Sequence, residues 1–364
     1  LITLVLSLII ALAAAEWVLD YQRRYIETSD QLDPGMMRYD SQLGWRLSPG
    51  WSGAHHHYDF DAAYSVNRLG FRGEDTRKKG GRTTVVLGDS FTFGLGVNDG
   101  QTFVQQLNDG ADTFLNLAVP GYSTDQQVLQ IGERMGSLKP DQVLLVVYLA
   151  NDLFDNLQTY PLQADFAKPR FRIDEQGRLR LENTPVPRQP KPASARNRSL
   201  SSLVLGDAVL QRGELVAWLG QLELFRRLGL LQSRPELPDE LFARRFEPAL
   251  ALFMALVTTT GERLSSQGAE LTVALLPGQS YVERPDSVSA RYQDYLRVQL
   301  VQRLQRADIP VISLAAALRA GYAKDGVARF HPNEGHLNPV GHQSVAELLR
   351  QQGLAPMPRP GGRR

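Results

Sequence analysis

Five short runs of apolar and β-branched residues recur along the chain: Thr83–Leu87, Thr113–Val119, Val143–Leu149, Ala269–Pro277 and Ile309–Leu314. Continuous rather than alternating apolar character is what a strand covered on both faces requires. Between and after these runs the spacing turns helical, over Gln101–Leu107, Gln126–Leu138, Asp239–Gln267, Val288–Ala307, Leu314–Ala320 and a closing helix that ends near Gln352. Strand and helix patterns that alternate in this way predict βαβ units with right-handed crossovers. The expected fold class is α/β, a three-layer α/β/α arrangement around a parallel sheet of about five strands.

The alternation breaks twice. Residues 20–81 form a lead-in that holds Leu43-Gly44-Trp45-Arg46 and Leu69-Gly70-Phe71-Arg72-Gly73, each suited to short strands and turns. Residues 155–235 read as an insertion. Within it, Lys168–Glu182 alternates around a turn at Glu175-Gln176-Gly177, Pro185–Arg198 is a Pro-rich basic loop, and Leu203–Leu231 has amphipathic helical spacing. It is expected to form a lobe or lid near the open end of the sheet. The sheet domain is thus split into 82–154 and 236–353, and the Pro, Gly and Arg of 354–364 predict a disordered tail.

At the other end, 1–19 is almost free of charge and long enough as a helix to cross a bilayer. A membrane anchor is expected there, with a cleaved signal at Ala13-Ala14-Ala15 and a buried helix as competing readings. The domain that follows is expected outside the cytoplasm. Arg23 and Arg24, just after the segment, favour the opposite orientation by the excess of basic residues on cytoplasmic flanks.

Composition narrows the chemistry. The 364 residues carry a formal net charge of +1, which gives no argument for a nucleic-acid partner, and 43% apolar residues mark a globular bulk. The absence of cysteine removes disulfides, thiolate metal sites and a cysteine nucleophile together. His55-His56-His57 is expected in an exposed loop rather than at a metal, and no cofactor is expected.

The first apolar run ends in Gly88-Asp89-Ser90, a turn at the carboxyl end of a strand, where open α/β sheets bind ligands. A serine hydroxyl acts as a nucleophile only with a base to take its proton, a group that orients the base, and donors for the oxyanion. His331, His336 and His342 are the candidate bases, and His336, in a loop before the last helix, is placed to return to the open end of the sheet. The donors expected are the Ser90 N–H, the Gly121 N–H and the Asn151 side-chain amide, all at strand ends.

These blocks, Gly88-Asp89-Ser90, Asn116–Gly121, Asn151-Asp152 and the His336 loop, resemble the GDSL/SGNH hydrolase superfamily. The resemblance covers about 82–155 and 268–350 and implies an SGNH-hydrolase (flavodoxin-like) fold. It implies Ser90 as nucleophile, His336 as base, and Ser90, Gly121 and Asn151 as the oxyanion hole. The lead-in looks like that of membrane-associated bacterial members. Two departures stand out: Leu149-Ala150 precedes Asn151 where glycine is usual, and Asn333 stands where the family has Asp, three residues before the histidine. An amide carries no charge to stabilise an imidazolium, so Glu334 is expected to take that role, with a Ser–His dyad as the fallback.

The implied activity is that of a serine esterase. Its substrate would be a short acyl group on a small molecule, carbohydrate or surface polysaccharide, hydrolysed or transferred through an acyl-enzyme. A non-catalytic glycan-binding module on the same fold is the alternative. A phosphate-binding turn is disfavoured by the lack of Gly-x-x-x-x-Gly-Lys.

Overall fold

A computed structural model describes residues 2–74, 81–193 and 239–354. Among the described residues the strands are, in chain order, β1 Gln31–Leu32, β2 Met37–Asp40, β3 Gly44–Leu47, β4 Ser52–His57, β5 Phe60–Ser65, β6 Thr83–Leu87, β7 Thr113–Asn116, β8 Gln142–Tyr148, β9 Arg170–Ile173, β10 Leu179–Glu182, β11 Glu270–Leu276 and β12 Val311–Ser313. Five of them build one parallel sheet in the order β12-β11-β8-β6-β7.

Because side chains alternate across a strand, the sheet feeds two cores. Val85, Leu87, Val143, Leu145, Val147, Val273 and Leu275 pack with helices Thr124–Leu138, Asp239–Ser265 and Val288–Arg306. Val86, Leu144, Val146, Ala274 and Leu276 face helices Gln279–Glu283, Ala315–Asp325 and Pro339–Gln351. This is the expected three-layer α/β/α fold.

Boundaries differ where a local group competes. The helix expected over Gln101–Leu107 is interrupted because the Thr102 hydroxyl caps a new turn by accepting from Gln105 N at 3.2 Å. The last strand begins only at Val311, since Pro310 has no N–H to give a ladder. The run Thr113–Val119 leaves the regular sheet after Asn116, though Leu117 N still donates to Val86 O at 2.9 Å.

The lead-in folds as small antiparallel sheets, β1-β4-β5 and β2-β3, over a third core that includes Trp45, Tyr64, Phe93 and Tyr122. This corrects the reading of the histidine run. His55–His57 is the end of β4, paired with β5, and strand alternation buries His55 while exposing His56. His55 Nδ1 meets Tyr64 Oη at 2.7 Å and its Nε2 meets Asp30 at 2.6 Å. No cluster of metal-ligating side chains occurs among the described residues.

The apolar N-terminal segment is one helix, Ile2–Thr28, with a mean hydropathy of 2.3 in its most apolar window and no buried residue. It runs beyond Leu19 because Arg23 and Arg24 pair with Asp20 and Glu27 at helical spacing. It is long and apolar enough to serve as a membrane anchor or a signal segment.

The described part of the insertion, up to 193, adds no strand to the parallel sheet. β9 and β10 pair only with each other, across the expected turn at Gly177, and pack on helices Thr124–Leu138 and Asp239–Ser265. The Pro-rich stretch is less free than expected: Val186 and Lys191 are buried, and Lys191 Nζ donates to Pro161 O at 2.6 Å. Lys168 forms a fully buried ion pair with Asp125, joining the insertion to the start of helix Thr124–Leu138. The spacing at Leu203–Leu231 and the tail beyond 354 lie outside the described residues.

Candidate active site

The site forms where three adjacent strands, β7, β6 and β8, end on one rim. After β6 the chain turns so sharply that a Cβ on Gly88 would fall 2.2 Å from Thr92 Oγ1, so only glycine fits there. Asp89 then caps the short helix Ser90–Phe93 by accepting from Phe91 N at 2.9 Å. This leaves Ser90 as the first helical residue, with its N–H unused by any hydrogen bond among the described residues.

The closing loop, Phe330 to Asn338, returns to this point. His336 Nε2 lies 2.6 Å from Ser90 Oγ, and His336 Nδ1 lies 2.5 Å from Glu334 Oε1. Glu334 Oε2 accepts from the His336 N–H at 3.0 Å, so one carboxylate holds both the ring and the main chain of the histidine. Burial works against its charge, but the neighbouring imidazole and these bonds outweigh it and hold the Glu334 carboxyl below its ordinary range. The Phe91 ring packs against the His336 ring at a tilt of 34°, 4.3 Å between centroids.

The remaining histidine candidates are occupied elsewhere. His331 Nε2 is 3.2 Å from Gly96 O, and burial lowers its pKa. His342 is fully buried against Phe103, whose N–H donates to its Nδ1, and burial brings its pKa down to about 3. Asn333 does not reach His336: its amide donates to Asp59 at 2.6 Å.

On the far side of Ser90, Gly121 has φ +79°, a left-handed conformation that glycine adopts without strain. The lead-in backs this turn. Trp45 Nε1 donates to Pro120 O at 3.0 Å, and Tyr122 Oη donates to Trp45 O. A Cβ at Gly121 would lie 3.3 Å from the Trp45 ring and 3.5 Å from Ala164 of the insertion, so both added segments flank this rim. Asn151, after β8, gives one amide hydrogen to Asp155 Oδ2 at 2.6 Å, which leaves the second hydrogen for a ligand.

Sequence reasoning missed Asp155, although its spacing of four from Asn151 on one helical turn was a usable signal. Burial raises the Asp155 carboxyl to about 6. Burial also raises Asp89 and Asp152, and the repulsion between the two adds to the rise at Asp152. Dry carboxyl groups therefore lie behind the rim, while the one on His336 keeps its charge.

No protein-family model matches the chain, and no curated protein matches it. Solved structures do. One is a member of the lipolytic protein G-D-S-L family from Veillonella parvula, 13% identical, covering 74% of this chain and 97% of its own, with a TM-score of 0.38. A lipase/acylhydrolase from Enterococcus faecalis is 14% identical over 74% of this chain and 94% of its own, TM-score 0.38. An acetylxylan esterase from Geobacillus stearothermophilus, solved as a catalytic mutant, is 12% identical over 76% and 97%, TM-score 0.37.

Proposed function

We propose that this chain is a serine ester hydrolase of the GDSL/SGNH type, working through an acyl-enzyme. The observation that carries the reading is the line Ser90 Oγ–His336 Nε2–Glu334, with contacts of 2.6 and 2.5 Å. In this mechanism Ser90 Oγ attacks the ester carbonyl while His336 Nε2 takes its proton. Glu334 holds the proton on Nδ1, which keeps Nε2 a base, and then faces the imidazolium that forms. The oxyanion is received by the N–H groups of Ser90 and Gly121 and the free amide hydrogen of Asn151. His336 returns its proton to the leaving alcohol, and water, or a second hydroxyl, resolves the acyl-enzyme by the reverse path.

A short acyl group on a carbohydrate or surface polymer is the substrate class we propose. Ser90 is only 3% exposed, and its neighbour Phe91 stacks on Tyr148 at 3.9 Å between centroids; so enclosed a hydroxyl supports a small acyl group. The carrier is inferred from the sequence resemblance. We propose further that helix Ile2–Thr28 anchors the chain in a membrane, with the catalytic domain outside the cytoplasm.

A fluorophosphonate probe and p-nitrophenyl acetate test the chemistry. The probe is expected to modify Ser90, and Ser90→Ala is expected to lose both labelling and turnover. Full turnover by Ser90→Ala, or modification of another residue, refutes the mechanism.

A further inference from the structure

The loop that carries Glu334 and His336 is held from outside the sheet domain. Asp59 lies in the tight turn between β4 and β5, where His57 pairs with Phe60. Its Oδ2 accepts from the N–H groups of Asn333 at 2.7 Å and Glu334 at 2.9 Å, and its Oδ1 accepts from Asn333 Nδ2 at 2.6 Å. Next to it, Phe60 packs against the His331 ring, 4.9 Å between centroids. The same turn touches the end of the apolar helix: Tyr58 N donates to Ser29 Oγ at 2.8 Å, and Tyr58 meets Tyr25 edge-on.

We propose that Asp59 is a positioning residue for the Glu334–His336 pair, so that the juxtamembrane lead-in completes the active site of the sheet domain. The proposal rests on the hydrolase reading above. Two successive main-chain N–H groups bonded to one carboxylate fix the backbone at Asn333 and Glu334. That backbone decides whether the Glu334 side chain folds back onto both nitrogens of His336 that it now holds. Within the loop, His331 N to His336 O, 2.8 Å, and Gly335 N to His331 O, 2.9 Å, are main-chain bonds that close the turn, and neither holds the N–H groups of Asn333 and Glu334. Asp59 also explains why asparagine is accommodated at 333. The position faces the hairpin rather than the imidazole, and an aspartate there would set two carboxylates against each other.

Without Asp59 the loop keeps its residues but loses the registration of Glu334. A misplacement on the order of 1 Å at a catalytic group costs up to about 100-fold in rate. The charged and titratable groups facing the pair are His331 on the same loop, Tyr64 on β5, Asp89 beside Ser90, Tyr148 at the end of β8, His342 on the closing helix and Asp59 itself. A loosened Glu334 faces the developing imidazolium less closely, so proton transfer from Ser90 Oγ to His336 Nε2 is slowed.

The test uses the full chain in detergent, with Asp59→Ala, Asp59→Asn and Asn333→Ala beside wild type. Active sites are counted by fluorophosphonate labelling, and kcat and KM for p-nitrophenyl acetate are measured across pH. For both Asp59 variants the expected result is a kcat per labelled site lower by about 10–100-fold with a KM within about twofold. Asn333→Ala, which keeps both main-chain bonds, is expected to lose less. Asp59→Asn carries the test if Asp59→Ala does not fold. An unchanged kcat per labelled site overturns the proposal, including when fewer sites are labelled. If wild type itself neither labels at Ser90 nor turns over ester, the hydrolase reading falls and takes this proposal with it.

Discussion

Replacing Glu334 by glutamine changes one atom and the charge, and the geometry fixes the consequence. Both carboxylate oxygens accept hydrogen bonds, Oε2 from the His336 N–H and Oε1 from the Nδ1 side of the ring. Glutamine has one acceptor oxygen. If that oxygen stays with the main-chain N–H, the NH₂ group faces Nδ1 and favours the tautomer protonated on Nε2, which cannot take a proton from Ser90. In the flipped amide, NH₂ faces a main-chain N–H that is left without an acceptor, at a cost of about 1–3 kcal/mol. The lost charge adds to this. Unit charges about 4 Å apart at an effective dielectric of about 20 attract by about 4 kcal/mol, or roughly a thousandfold in rate. Glu334→Gln is therefore expected to lower kcat/KM for p-nitrophenyl acetate by about 10³, less than loss of the nucleophile. The rate of phosphonylation at Ser90 is expected to fall in parallel. Activity within tenfold of wild type would mean that a Ser–His dyad suffices and that the carboxylate is not part of the mechanism.

Two further outcomes concern a buried histidine and the apolar helix. His342 is held neutral, its pKa brought from 6.5 to about 3 by burial, so below pH 6.5 the unfolded chain takes up a proton that the folded chain refuses. Stability should fall as pH drops from 6.5 towards 3. His342→Leu should flatten that slope in melting curves, and an equally steep slope in the variant would remove His342 as its source. The full chain should stay with the membrane pellet in alkaline carbonate, whereas a chain lacking 1–19 should be released; release or cleavage of the full chain defeats the anchor.

The sheet was legible because parallel strands covered on both faces leave unbroken apolar runs, and β8 and β11 show this most fully. Their ends were less so, because Pro310 and Thr102 act through a single missing donor or a single cap. Ser90 and His336 could be read because each lies next to an element whose pattern is strong. The burial of His55 was not legible, since three like residues in a row carry no alternation until a partner strand supplies an inside and an outside. Lys168 before a proline gave no hint of its buried pairing with Asp125, and a hairpin aspartate at 59 gave none of its bonds to 333 and 334. Contacts of that range depend on how separately folded pieces dock, which neither periodicity nor local turn chemistry encodes.

β8 and β11 lie side by side in register from Gln142 opposite Glu270 to Tyr148 opposite Leu276, with the whole insertion strung between them. Closing a longer loop across a fixed gap is inexpensive in entropy, about 0.6 kcal/mol for each doubling of its length. Seven paired residues hold the gap whatever the loop contains. This crossover is thus a tolerant place for evolutionary or engineered exchange of sequence. Sequence exchanged there can meet the rim near Gly121, as Ala164 of the insertion does, while β8 and β11 keep their spacing, so the surroundings of Ser90 can change faster than the turn that holds it.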